Sequence, residues 1–289
     1  MSRSLDAGVY VVNCDIHTKR LKTFGEYAKR AGMSMHRVAC VNGRNMDRKF
    51  LCDMHKDKLL RATAEMTAIE VAINLSHLAV WQRIAEGRHP YGLVFEDDVK
   101  VHKGFVKDLN KIIDALRKDP KTKDFGILFL WNGKWDERTR YERVKKVPGT
   151  PYVVDKMVND YNAGGVAYLL SKDMAAFLSD PKHFFPIEMP QDIYMGDQSM
   201  WKDKWGAKWT CLTLAMRHDK KTDCQISPLL DMDCGGEWAT GDTTQRHDDP
   251  KVFTMRCSKH KRSRSKYGQV IKDTFLKRSL SRASRALRR

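Results

Sequence analysis

The sequence predicts an α/β fold with a mostly parallel central sheet, and three observations carry that prediction. The chain opens as strand, helix, strand between Gly8 and Val41. Near-continuous apolar runs recur at Leu93-Val94-Phe95 and at 124–130. The first of these runs ends abruptly in three acids, Glu96-Asp97-Asp98. Strands apolar on both faces belong to sheets covered by helices on both sides. Strand–helix–strand units build parallel sheets.

Taken in order, Gly8 to Asn13 (GVYVVN) is rich in β-branched and aromatic residues and predicts the first strand. A polar loop follows, then a helix on which Leu21, Phe24, Tyr27 and Ala28 recur at helical spacing and which Gly32 ends. Met35 to Val41 predicts the second strand and Asn42-Gly43 a tight turn. Residues 44–62 are basic, without clear period, and read as a connecting loop with a short helix. Thr67-x-x-Glu70 predicts a capping box for a helix running to about Glu86, with Gly87 as its stop. Ile69, Ile73, His77, Val80 and Ile84 share one face of that helix and Val71, Leu75 and Leu78 a second, so it is largely buried. Ser76 and His77 sit in its middle and need partners there. His77 is either a satisfied core histidine or a group aimed at a ligand cleft.

After the acids, Val106, Leu109, Ile113 and Leu116 mark a helix over about 104–118. A strand is expected over 124–130, a charged surface excursion over 134–151, a strand over 166–170 and a helix over 172–179. Pro181, Pro186 and Pro190 mark irregular chain, and Trp201, Trp205 and Trp209 read as a packing stripe.

At 289 residues, 42% hydrophobic and 31% charged, the composition is that of a globular chain rather than a disordered one. No apolar run approaches the ~20 residues that span a bilayer, and residues 1–8 carry no apolar signal core. Seven scattered cysteines without a Cys-x-x-Cys pair lead to the expectation of reduced thiols and a cytoplasmic location. The net charge of +17 is uneven: residues 258–289 hold twelve Lys/Arg against one acid, a net +11, leaving +6 for the rest. A pI of about 9.6 is therefore no nucleic-acid footprint of the whole chain. Two units are expected: a domain over 1–257 and a basic tail over 258–289.

The acids carry the chemistry. In open α/β sheets ligands bind beyond the carboxyl ends of strands, where this trio sits. Three adjacent carboxylates repel one another unless a cation offsets them, and Mg²⁺ or Mn²⁺ suits such hard oxygen donors. The alternative is a solvated acidic turn. Alternation along the strand would put Glu96 and Asp98 on one face and Asp97 on the other.

Several segments together resemble glycosyltransferase family 25. They are Val11-Val12-Asn13 with Arg20; Arg37 to Gly43; Asn74 to Trp81 with its Ser76-His77 pair; Phe95 to Val99; Gly164 to Ser171; and Pro190-Gln191-Asp192. The resemblance covers roughly residues 8–230. It departs at Cys14-Asp15, in the charged 134–151 stretch and in the loosely similar 217–230.

The resemblance implies a GT-A-type nucleotide-sugar-binding sandwich. It implies an inverting transfer of a hexose, galactose favoured, from a UDP-linked donor to a glycan, lipid-linked or protein acceptor. It would make Asn13, Arg20, Asn42, Gly43, Ser76, His77, Glu96 and Asp97 donor-binding residues. Asp98, Glu96 and His218 are the candidate ligands of Mn²⁺ or Mg²⁺, with a surface histidine in Arg217-His218-Asp219-Lys220 as the plainer reading of His218. Asp192 is the candidate base, with a helix N-cap as its plainer reading.

A second reading rests on the tail. Lys261 to Lys266 is a basic run, and Leu276, Leu280, Ala283 and Leu287 form a helical stripe opposite Arg278, Arg282, Arg285 and Arg289. That pattern suits an anionic membrane surface better than nucleic acid.

Overall fold

The computed structural model describes residues 5–61, 64, 66–130, 141–157, 165–197, 213–218 and 230–232. Strand β1 (Ala7–Asn13) leads through α1 (Thr18–Arg30) to β2 (Met35–Ala39). A 3₁₀ turn (Gly43–Asn45) and α2 (Arg48–Lys56) precede α3 (Ala68–Glu86), which runs into β3 (Tyr91–Glu96). Beyond the acids come β4 (Val99–Val101), α4 (Phe105–Arg117), β5 (Ile127–Phe129), β6 (Tyr141–Lys146) and β7 (Tyr152–Met157). Then follow β8 (Ala167–Ser171), α5 (Lys172–Leu178), α6 (Pro181–Phe184), α7 (Gln191–Gly196), β9 (Thr213–His218) and β10 (Leu230–Met232).

Eight strands make one sheet in the order β2-β1-β3-β8-β5-β9-β7-β6. β1 pairs in parallel with β2 and β3, and β5 with β9; the other four pairings are antiparallel. Traced through those pairings, only β7 and β8 run against the other six, so strand direction is mostly parallel as expected.

Helices cover both faces. Val94 packs into a core with α3 and α5, whereas its neighbours Leu93 and Phe95 pack into a second core with α1 and α4. That alternation makes an α/β sandwich, and fully burying each such apolar side chain contributes roughly 1.5–3 kcal/mol.

α3 forms as its sequence requires. Glu70 N donates to Thr67 Oγ1 at 3.1 Å and Thr67 N donates to Glu70 Oε2 at 2.8 Å, which closes the capping box. Gly43 packs on the start of this helix: a Cβ there would lie 2.7 Å from Ile69 Cα and 2.9 Å from Ala68 O. Close backbone approach, rather than a turn needing positive φ, explains that glycine. The contact brings the amino-terminal end of α3 to the carboxyl edge of the sheet.

Two expectations need correction. The charged stretch at 134–151 contains β6, hydrogen-bonded to β7 at the sheet margin; Lys and Arg on a strand's sequence mark an edge as readily as a loop. The cysteines are not all free: Cys14 and Cys40 form a disulfide, and Cys52 is disulfide-bonded too. β1 and β2 are parallel neighbours with Asn13 opposite Ala39. The next residues of each strand therefore meet at a Cα–Cα distance of 4.7 Å, within the range a disulfide spans. No helix among the described residues is long and apolar enough to cross a membrane. The tryptophans at 201, 205 and 209 and the basic tail lie outside the described residues.

Candidate functional site

The carboxyl ends of β1, β2 and β3 lie side by side, and the candidate residues gather there. Asn13 closes β1 and is 2% exposed. Its Nδ2 donates to Asp97 Oδ2 at 2.6 Å and to His17 O at 3.0 Å, while its Oδ1 accepts from Arg37 Nε at 2.9 Å. Arg37 also donates to Asn13 O at 3.3 Å and pairs with the Asp15 carboxylate. One buried amide thus ties three chain segments together. Sequence reading gave Arg37 no role of its own, because its partners are brought to it only by the β1–β2 pairing.

The acids divide differently from the expected alternation. β3 ends at Glu96, and Asp97-Asp98 form a turn, so strand parity stops applying after Glu96. Glu96 Oε1 lies 3.8 Å from His77 Nε2. Asp97 and Asp98 instead share Arg20, whose Nη1 is 3.6 Å from Asp97 Oδ1 and 3.9 Å from Asp98 Oδ2. Asp98 therefore belongs with Asp97, not with Glu96.

Burial sets the electrostatics. Asp98 is 6% exposed, and burial, followed by the neighbouring Glu96 and Asp97 charges, pushes its carboxyl well above the usual range; Arg20 only partly opposes this. Asp97 is raised by burial as well, with the Asn13 hydrogen bond and Arg20 pulling the other way. Asp98 Oδ1 is buried and accepts no hydrogen bond among the described residues. An orphaned, charge-crowded carboxylate oxygen is what a cation would satisfy.

Among the described residues no group of three His, Cys, Asp or Glu side chains is placed to hold one ion. Mg²⁺-type sites ordinarily use one or two carboxylates and complete their shell with substrate phosphates and water. Asp97 and Asp98 fit that pattern.

His77 is 1% exposed in mid-α3. Its Nδ1 lies 2.8 Å from the Tyr168 hydroxyl on β8, to which Trp81 Nε1 also donates at 2.8 Å. The histidine is at once satisfied in the core and turned toward the site through Glu96. Tyr168 and Trp81 had no predicted role; the available signal was a hydroxyl in an otherwise apolar strand, which must find a partner.

Ser76 Oγ donates to Ala72 O at 2.7 Å and accepts from Val41 N at 2.9 Å, so it binds α3 to the chain after β2. Asn42 Oδ1 accepts from Arg44 N at 3.0 Å and caps the 3₁₀ turn. Asp192 lies in the first turn of α7, where Pro190 holds the N-cap position, so the N-cap reading of Asp192 does not stand. Its Oδ1 accepts from Ile193 N at 2.9 Å. The backbone of His218 ends β9 at the same sheet edge as Glu96, three strands across, or about 14 Å at ~4.8 Å per strand. Its side chain lies outside what is described.

Residues 6–195 match the profile of a family described as glycosyltransferase family 25 (LPS biosynthesis protein). No curated protein matches. Among solved structures, a glycosyltransferase involved in glycosylating the major capsid of PBCV-1 is 10% identical at a TM-score of 0.40, covering 81% of this chain and 96% of its own. Mouse xyloside xylosyltransferase 1, apo form, is 13% identical at 0.35, covering 71% and 83%. Mannose-1-phosphate geranyltransferase from Thermus thermophilus is 10% identical at 0.33, covering 73% and 74%.

Proposed function

From the premise that this chain belongs to glycosyltransferase family 25, which its match over residues 6–195 shows, we propose a metal-assisted transfer from a nucleoside diphosphate sugar to an acceptor hydroxyl. That the chain is a glycosyltransferase follows from the family; the donor, the metal and the residue roles are the proposal. One observation supports it above the others: the buried Asp98, with an orphaned Oδ1, beside Asp97 at the carboxyl edge of a sandwiched sheet.

Asp98 and Asp97 would hold Mn²⁺ or Mg²⁺, which supplies Lewis acidity toward a diphosphate leaving group. Asn13 fixes Asp97 by its 2.6 Å bond, and His77 meets Glu96 on the α3 side of the sheet. Arg20 brings positive charge to the same edge. Ser76, Asn42 and Gly43 act by holding α3 and the chain after β2 in place. Asp192 is the base: it takes the proton of the acceptor hydroxyl as that oxygen bonds to the sugar's anomeric carbon. The bond from that carbon to the nucleoside diphosphate breaks on the far side, with inversion. UDP-galactose is the donor the family resemblance favours, and a glycan, lipid-linked or protein hydroxyl the acceptor.

The test is a panel of nucleotide sugars with Mn²⁺ or Mg²⁺, scored by nucleotide release, with Asp98→Asn beside it. Release from at least one donor, lost in the variant, is expected. Equal release by the variant would remove Asp98 from the mechanism. The basic tail, 258–289, is proposed separately as a peripheral contact with anionic membrane; pelleting with anionic vesicles, with and without those residues, tests it.

A further inference from the structure

α3 carries a second feature one turn nearer its amino terminus than His77. A cavity of about 250 Å³ lies between this helix and the chain from Lys182 to Met189, with Tyr194 of α7 along one side. Asn74 lines it and is 1% exposed. Its Nδ2 donates to Glu70 O at 2.9 Å and to Met189 O at 3.3 Å, which fixes the amide's orientation. Its Oδ1 accepts no hydrogen bond among the described residues. That oxygen belongs to a residue of the cavity wall and can accept from a donor entering the cavity.

Three further lining residues suit a hydroxylated ring. Arg61 Nη2 and Glu188 Oε1 pair at 2.6 Å, setting donors beside an acceptor. Phe185, half-buried and edge-on to Phe184 at 4.9 Å, adds an apolar ring. The volume falls a little below the ~300–1,000 Å³ of pockets that take a whole drug-sized ligand, and so suits one ring.

We propose that this cavity binds one pyranose ring of the acceptor. A pyranose combines hydroxyls that both donate and accept with apolar C–H faces, and the lining offers partners for each. Location agrees. Val41 N bonds Ser76, and Gly43 meets Ala68 and Ile69, so the amino-terminal half of α3 stands at the sheet edge that carries the acids. Asp192, the proposed base, is two residues before Tyr194 on the same short helix. The word acceptor rests on the transfer reading above; the sugar site itself does not.

Saturation-transfer NMR on the full chain, with methyl α- and β-pyranosides of glucose, galactose and mannose, tests the site directly. At least one pyranoside should receive saturation from the wild-type protein. Arg61→Met and Glu188→Gln should each weaken that binding about tenfold while keeping the wild-type melting temperature; the pair is partly exposed, so the fold does not depend on it. No pyranoside bound by the wild-type, undiminished binding by both variants, or binding of inorganic phosphate alone would overturn the proposal. Wild-type protein that binds a pyranoside yet releases nucleotide from no donor would overturn the transfer reading and leave the sugar site standing.

Discussion

The Tyr168 hydroxyl sits 2.8 Å from Nδ1 of His77, and it does so while accepting the Trp81 indole N–H, also at 2.8 Å. An indole nitrogen only donates, so the phenol's own proton is left for His77. Burial raises the Tyr168 pKa well above its ordinary value, which keeps that proton in place. With Nδ1 accepting, a neutral imidazole would present its N–H at Nε2, 3.8 Å from Glu96 Oε1. A residue deep in β8 thereby orients the imidazole that faces the acidic edge.

Replacing Tyr168 with Phe keeps the ring and removes this arrangement. Two buried partners lose their bond, at a cost of about 1–3 kcal/mol. Urea titration should show a lower midpoint with an unchanged slope. Turnover should fall more than donor KM rises, because Glu96 loses the oriented histidine behind it. An unchanged midpoint would contradict the hydrogen-bonded arrangement.

Asp98 makes the protein's stability depend on pH in a definite direction. Its carboxyl is raised in the folded state by burial and by Glu96 and Asp97. On raising the pH, the unfolded chain gives up this proton first, so stability falls from the ordinary Asp range upward until the folded-state group also ionises, and then levels off. Asp98→Asn lacks that loss. Without added metal, the variant should melt above wild-type at neutral pH, with the gap closing near pH 4. A gap that stays constant with pH would contradict the raised carboxyl.

The Cys14–Cys40 bridge closes a loop of sequence separation 26 across the ends of β1 and β2. By loop-closure entropy it contributes on the order of 3 kcal/mol. The double variant Cys14→Ser/Cys40→Ser should lose about that much in urea unfolding. An unaltered midpoint would show that the thiols are unpaired in solution.

Gly43→Ala places a Cβ 2.7 Å from Ile69 Cα, where only backbone can yield. Overpacking of this kind costs about 1–3 kcal/mol. The same change at a mere solvent turn would be neutral, so thermal unfolding distinguishes a packing role from a turn role.

Much of this was legible in the sequence where local chemistry decides. The Thr67–Glu70 box, the buried α3 and the apolar run of β3 ending in acids all follow from short-range pattern, and all are found. Strand parity correctly sends Glu96 to the α3 side with Val94. It fails at Asp98 because the chain turns after Glu96, and parity carries no information past a strand's end. The Cys14–Cys40 pairing and the Arg37–Asn13 bond depend on which strands are neighbours, which spacing does not encode. β6 reads as loop because its charges are those of a sheet margin. Tyr168 and Trp81 look like ordinary core until the β3–β8 pairing sets them behind Glu96.

Whether sugar transfer depends on the Asp98 carboxylate is decided by nucleotide release from UDP-galactose with Mn²⁺, comparing wild-type with Asp98→Asn of equal or higher melting temperature. Release by the wild-type is expected, with a loss of at least about a hundredfold in the variant, some 2.7 kcal/mol at 1.36 kcal/mol per tenfold. A correctly folded Asp98→Asn protein turning over at the wild-type rate would contradict it.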